Sequence, residues 1–157
     1  MDLLPPAPGI EPRTAGTNGS HQVVFKFAVP LVSAASASVM PAAGGTAQVD
    51  GSPVVSPDGR EVAVNLKNVT NAQRLQVSLL GASDGTNTSD VSVPLALLLG
   101  DTTANAVVNS SDVAETKGQS GQPVTGANFR NDVTVNNAIN TSDIGVVKSQ
   151  SGTQLPP

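Results

Sequence analysis

Two twelve-residue stretches near the C-terminal end of the sequence carry oxygen-bearing side chains at the same spacing. They run over 101–112 and 132–143, and ten of the 21 positions from Asp101 to Gly121 are identical to the positions 31 residues later. Both stretches have such side chains at positions 1, 3, 5, 9 and 12. These residues are Asp101, Thr103, Asn105, Asn109, Asp112, Asp132, Thr134, Asn136, Asn140 and Asp143. The repeat indicates that one loop has been duplicated.

Oxygen atoms at this spacing are typical of a loop that binds a hard divalent cation. Calcium takes six to eight oxygens, and a twelve-residue loop supplies them from positions 1, 3, 5, 7, 9 and 12, with position 7 giving its backbone carbonyl. That carbonyl belongs to Val107 in the first loop and to Ala138 in the second. The spacing therefore predicts two calcium sites.

Both predicted sites are weak, because each loop keeps only two carboxylates and calcium affinity follows ligand charge. Position 6, where such loops turn through positive φ, holds Ala106 in the first loop and Asn137 in the second. Asn tolerates positive φ better than Ala, so we expect the second site to bind better. The alternative is that side chains bonding to the backbone hold both loops, as in Asx turns.

Each loop leads into a segment with helical signals. Ser111 and Ser142 are candidate N-caps, and Gly121 and Gly152 are the expected ends. The apolar stripes are short, with Val113 and Thr116 in one segment and Ile144 and Val147 in the other. Helices this short are unstable alone, so the two repeats are expected to pack together. Phe129, just before the second loop, is the expected aromatic plug between them.

The loop pattern D-x-T-x-N-x-x-V/I-N-S/T-S-D, followed by a short Lys-containing helix and repeated over about 55 residues, closely resembles a type I dockerin. The resemblance implies a small α domain of paired calcium-binding F-hand repeats over 100–157. In that family, the Ser/Thr pair at loop positions 10 and 11 and a basic residue further along the helix contact a partner cohesin. The matching residues here are Ser110, Ser111, Lys117, Thr141, Ser142 and Lys148.

The first 99 residues have the pattern of an antiparallel β-sandwich. After the Pro- and Gly-rich residues 1–20, expected to be extended or irregular, Val23, Phe25, Phe27 and Val29 alternate on one predicted strand face. Both phenylalanines are expected to anchor the core. Turn signals at Asp50-Gly51, Asp58-Gly59 and Asp84-Gly85 recur between further predicted strands. Those strands cover 35–40, 46–49, 53–55, 61–66, 74–80 and 89–98. We interpret residues 1–99 as an Ig-like sandwich, and 68–80 with 93–100 resembles the Ig-like module that precedes dockerin-like ends in bacterial surface proteins.

Composition excludes several classes of function. Eight scattered Lys and Arg against twelve Asp and Glu give a net charge of −4, which argues against nucleic acid as a partner. Because the chain has no Cys and a single His, thiol nucleophiles and most kinds of metalloenzyme site are excluded. That histidine, His21, has no Ser/Asp arrangement around it and is interpreted as a strand residue. No stretch approaches the roughly 20 apolar residues of a membrane span.

These features predict a non-catalytic structural protein of the cell surface or extracellular space, braced by calcium and attached through protein–protein contacts. Its partner is either a cohesin-like domain or another copy of the chain. If the sandwich lacks a first strand, a neighbour could fill the open edge and build a filament head to tail. The alternative is a dockerin-tethered carbohydrate-binding module of a secreted enzyme complex. Glycans are possible at the sequons of Asn18, Asn68 and Asn87.

Overall fold

The computed structural model describes residues 9–157, and this part of the chain is mainly β. The strands are β1 (Gly9–Glu11), β2 (His21–Lys26), β3 (Ser36–Pro41), β4 (Gln48–Val49), β5 (Val54–Val55), β6 (Glu61–Lys67), β7 (Gln73–Ser83) and β8 (Thr88–Leu97). The helices are α1 (Ser110–Gln119) and α2 (Thr141–Ser149), with short 3-10 turns at Thr17–Gly19 and Phe129–Asn131. The mainly β prediction is confirmed. None of the helices within 9–157 has the length and apolar character needed to cross a membrane.

The strands form two sheets. One has the order β1-β8-β7-β3, in which β1 runs parallel to β8 and β3 runs antiparallel to β7. In the other, β2 and β4 flank β6, and β5 also pairs with β6. Each of the six strands expected from periodicity after β2 is present, with ends that match or are shifted by up to three residues. β2 itself also forms, although it ends earlier than expected.

Alternating apolar residues explain why these segments become strands. Val62, Val64 and Leu66 of β6 are all at most 1 % exposed, while the residues between them are only partly buried. Leu75, Val77 and Leu79 of β7 repeat this pattern. Each such side chain contributes about 1.5–3 kcal/mol on burial, so one face of each strand is fixed toward a core.

The glycines of the three Asp-Gly turn signals adopt the backbone conformation expected of them. Gly51, Gly59 and Gly85 all have positive φ. At Gly59 a side chain would also collide with backbone, since a Cβ there would lie 2.5 Å from the carbonyl oxygen of Leu31. Only glycine satisfies both constraints at that turn.

The structure corrects two expectations about β2 and adds a strand. β2 ends at Lys26, so Val29 lies outside it and is 59 % exposed. Of the two phenylalanines, Phe25 is buried but Phe27 is only half-buried. β1, within the segment expected to be extended or irregular, was not identified as a strand, because three residues carry too little periodicity to detect.

The described chain forms two compact units. One contains 15–70 and 75–94, and the other contains 9–14, 71–74 and 95–157. The predicted domains 1–99 and 100–157 stay a prediction. In the second unit, here called the C-terminal unit, the core comprises Ile10, Ala96, Leu98, Val108, Val133, Val147 and Leu155.

Candidate functional site: the repeated loops

The two loops lie in the C-terminal unit, and each runs directly into a helix. The first loop leads into α1 and the second into α2, and these helices contact each other. Val108 and Ile139, at position 8 of the two loops, are at most 2 % exposed. Each loop is therefore anchored by a buried side chain at the same position. Phe129 is only half-buried, so it is not the plug that the sequence suggested.

The aspartates at position 1 close the first half of each loop. The two carboxylate oxygens of Asp101 accept hydrogen bonds from the backbone N–H groups of Asn105 and Ala106, at 3.0 and 2.9 Å. Asp132 accepts the equivalent bonds, both at 3.0 Å, from Asn136 and Asn137. Repetition of this arrangement 31 residues apart shows that the duplicated sequence has produced duplicated geometry.

The aspartates at position 12 close the second half, and both are completely buried. Asp112 accepts from the backbone N–H and the hydroxyl of Thr103, at 3.0 and 2.9 Å, and from the N–H of Asn109 at 2.9 Å. Asp143 accepts the same three bonds from Thr134 and Asn140, at 2.9, 2.8 and 2.9 Å. Three donors per carboxylate offset the cost of burying the charge.

Asparagine side chains supply the remaining turns and caps. Asn105 and Asn136 each accept from the backbone N–H two residues later, at 3.0 and 2.9 Å. Asn109 and Asn140 accept from the N–H groups of Ser111 and Ser142 and form capping boxes with the position-12 aspartates. The N-caps are thus the asparagines, and the expectation that the serines cap the helices is wrong. The asparagine two residues before each serine is placed so that its side-chain oxygen accepts a hydrogen bond from an N–H group at the start of the helix.

Positive φ occurs twice in each loop. Ala106 and Asn137, at position 6, have φ values of 70° and 64°, as the loop pattern predicts for that position. Ala104 and Val135, at position 4, have φ values of 60° and 56°, although neither residue type favours positive φ. Val at positive φ is strained because of its branched Cβ.

Arg130 is a contact of the first loop that sequence reasoning missed. Its guanidinium donates to the carbonyl oxygens of Asp101 at 2.8 Å, Thr102 at 3.1 Å and Ile10 at 2.6 Å. Burial lowers the pKa of Arg130, against the opposing effect of nearby acids that include Glu11 and Asp101. Its partners lie 28 to 120 residues away in the sequence, so no local signal could have identified it.

Asp101 and Arg13 also have shifted pKa values. Burial raises the pKa of Asp101 above 3.8, although the N–H groups of Ala106 and Asn105 oppose the shift. The pKa of Arg13 is raised, first by its hydrogen bond to Glu11 and more weakly by Asp132. The Arg13 guanidinium also lies 5.2 Å from the centre of the Phe129 ring. Each loop therefore has an arginine close enough to interact with its position-1 aspartate.

The side chains predicted as calcium ligands are hydrogen-bonded to other groups of their own loops. Each of them takes part in at least one such bond, and at position 3 the threonine hydroxyl group donates to the position-12 carboxylate. Within residues 9–157, no group of three or more His, Cys, Asp or Glu side chains is placed to hold a metal. By sequence, each loop has two carboxylates at the predicted ligand positions. The two calcium sites stay a prediction, and both loops contain the side-chain-to-backbone hydrogen bonds of the Asx-turn alternative.

The predicted partner-contact residues occupy equivalent places in the two repeats. All six are exposed: Ser110, Ser111, Lys117, Thr141, Ser142 and Lys148. In each repeat the Ser/Thr pair lies at the start of the helix and the lysine in its last turn. The asparagines of the three candidate glycan sequons, Asn18, Asn68 and Asn87, are exposed as well.

Comparison with known proteins finds no matching family model, no matching curated protein and no matching solved structure.

Proposed function

We propose that the chain is a non-catalytic structural module of the cell surface or extracellular space, which attaches to a protein partner through its C-terminal repeats. The observation that supports this most is the duplication itself. Two loop–helix repeats with the same hydrogen bonds each present two hydroxyls and one lysine to solvent. A surface built twice in this way suits recognition of a folded protein.

Finer structural assignments belong to the same proposal. The C-terminal repeats correspond to a dockerin-like pair, supported by the loop pattern and the two contacting helices. The Ig-like sandwich is supported by the two sheets and by one buried face on β6 and β7. Neither assignment requires calcium, because the loop carboxylates already have hydrogen-bond donors.

The partner we propose first is another copy of the chain. Within residues 9–157, β2 and β3 each pair with a single strand and so end their sheets. Exposed strand edges accept strands from a neighbour, and a contact that does not close on itself propagates as a fibre. A cohesin-like domain is the second candidate partner, supported by the six exposed helix residues.

Self-association is tested by sedimentation velocity and electron microscopy of the full chain over a range of concentrations. We expect oligomers that grow with concentration. The double variant Lys117→Glu/Lys148→Glu should weaken association about tenfold if the repeat surface takes part, which corresponds to about 1.4 kcal/mol. Lys67→Glu, compared with each of the single variants Lys117→Glu and Lys148→Glu, is the matched control, since it makes the same charge change on β6 of the other unit, away from the open sheet edges, and breaks only an exposed ion pair.

A chain that stays monomeric at every concentration contradicts the self-association proposal. Binding of such a monomer to an immobilised cohesin-like domain, lost in Lys117→Glu/Lys148→Glu, would support the second partner. Failure of both experiments would overturn the interaction proposal.

The carbohydrate-binding alternative has less support. The chain has three Phe and no Trp or Tyr, and Phe25 is buried while Phe27 and Phe129 are half-buried. No aromatic side chain is therefore presented fully to solvent for stacking on a sugar. Selective retention of the full chain on a glycan array would restore this alternative.

A further inference from the structure

We infer that the two loops hold their shape without a metal ion, because the hydroxyls of Thr103 and Thr134 and the guanidinium of Arg130 take the place of a cation. This inference concerns the proposed interaction surface and so rests on the proposed function. Each loop carboxylate already has hydrogen-bond donors where calcium-braced loops would place the ion.

The carboxylates at position 12 are buried in both loops. Asp112 and Asp143 have no exposed surface, so each charge needs donors or an ion beside it. Each receives two backbone N–H groups and one threonine hydroxyl. A carboxylate has about four acceptor sites, so three are already used. A hydroxyl that donates to the carboxylate does what the cation would otherwise do there.

Position 3 holds threonine in both loops. A carboxylate at this position would repel Asp112 or Asp143 and would require a cation between the two acids. Threonine is neutral and carries a proton, so it attracts the buried carboxylate instead. The hydroxyl–carboxylate distances are 2.9 Å in the first loop and 2.8 Å in the second. Both loops therefore have a neutral donor at position 3, where a carboxylate would need a cation.

Arg130 brings a permanent positive charge to the start of the first loop. It lies two residues before the second loop in the sequence but donates to the carbonyl oxygens of Asp101 and Thr102, at positions 1 and 2 of the first loop. A guanidinium stays charged at all relevant pH values. It attracts Asp101 and Asp112 and would repel a divalent cation bound between them.

The test compares thermal unfolding of the full chain in excess chelator and in millimolar calcium, together with calorimetric calcium titration. We expect the same midpoint in both buffers and no binding heat. Thr134→Val, which removes the donor at nearly constant volume, and Arg130→Met should each lower the midpoint by about 2–4 °C or more in both buffers. Thr86→Val, at an exposed hairpin threonine, is the control and should leave it unchanged.

A rise in the wild-type midpoint with calcium, or saturable binding heat, would overturn the inference. So would variants that lose stability only in chelator, or variants that keep the wild-type midpoint in both buffers. The wild-type comparison decides even if a variant does not fold. Failure of the proposed function gives a different result. In that case the chain does not associate with a partner in either buffer, while its unfolding midpoint is still the same with calcium and with chelator.

Discussion

At the residue scale, most of the organisation in the loops comes from short polar side chains that bond to nearby backbone. The Asp101 carboxylate accepts hydrogen bonds from the backbone N–H groups four and five residues later in the chain. The side-chain oxygen of Asn105 accepts one from the N–H group two residues later. These are contacts that Asp and Asn form more readily than longer side chains. The abundance of asparagine at positions 5 and 9 therefore has a structural explanation that needs no ligand.

The carboxyl groups of Asp101 and Asp84 should titrate on opposite sides of 3.8. Burial raises the pKa of Asp101, whereas the N–H groups of Asn87 and Thr86 lower the pKa of Asp84. The stability contribution of Asp101 is therefore present below 3.8 and lost as pH rises through its folded pKa. That of Asp84 is present above 3.8 and lost as pH falls through its folded pKa. Carboxyl-carbon NMR titration measures both, and reversed values would contradict these assignments.

At the element scale, the two repeats depend on each other rather than standing alone. The buried hydroxyl of Thr116 in α1 donates to the backbone carbonyl oxygen of Asp112 at 2.9 Å. It also contacts the side-chain oxygen of Asn131, beside the second loop, at 3.2 Å. Helices of nine or ten residues are marginal in isolation. Their contacts with each other and with the loops supply the missing stability.

Replacing Val135 by glycine should stabilise the C-terminal unit. Val135 has a φ of 56° and is 53 % exposed, so the substitution removes backbone strain and little packing. We expect a gain of about 0.5–1 kcal/mol in the free energy of unfolding, after the entropy that glycine adds to the unfolded chain. Urea denaturation followed by circular dichroism measures it.

Val54→Gly is the matched control for that substitution. Val54 is 60 % exposed but lies in β5 without positive φ, so glycine there should destabilise the protein. A loss of stability in Val135→Gly equal to that in Val54→Gly would show that position 4 is not strained.

At the scale of the whole molecule, the C-terminal unit is built from three segments that are separate in the sequence. Residues 9–14 bring β1 beside β8, and the N–H of Thr14 donates to the carbonyl oxygen of Val133 at 2.8 Å. Asn71 accepts from the N–H of Leu99 at 2.7 Å, and Arg74 donates to the carbonyl oxygen of Pro156 at 3.0 Å. The repeats are therefore completed by residues that precede them by many positions.

Truncating Ile10 should weaken the C-terminal unit, although this residue is some ninety positions before the first loop. Ile10 is 8 % exposed and belongs to the core with Val108, Val133 and Val147. Ile10→Ala should cost about 2–4 kcal/mol and lower hydrogen-exchange protection in α1 and α2. Val32→Ala, at a position 68 % exposed, is the control. Unchanged protection of both helices in Ile10→Ala would contradict this role.

The sequence by itself determined the strands from β2 onward, the hairpin glycines and the equivalence of the two loops, because alternation, turn chemistry and repetition are local patterns. It did not determine how the loop oxygens are used. The tertiary structure places threonine hydroxyls against buried carboxylates and brings Arg130 and residues 9–14 to the repeats. Those contacts join residues far apart in the chain, and their energies depend on burial that no short window of sequence records.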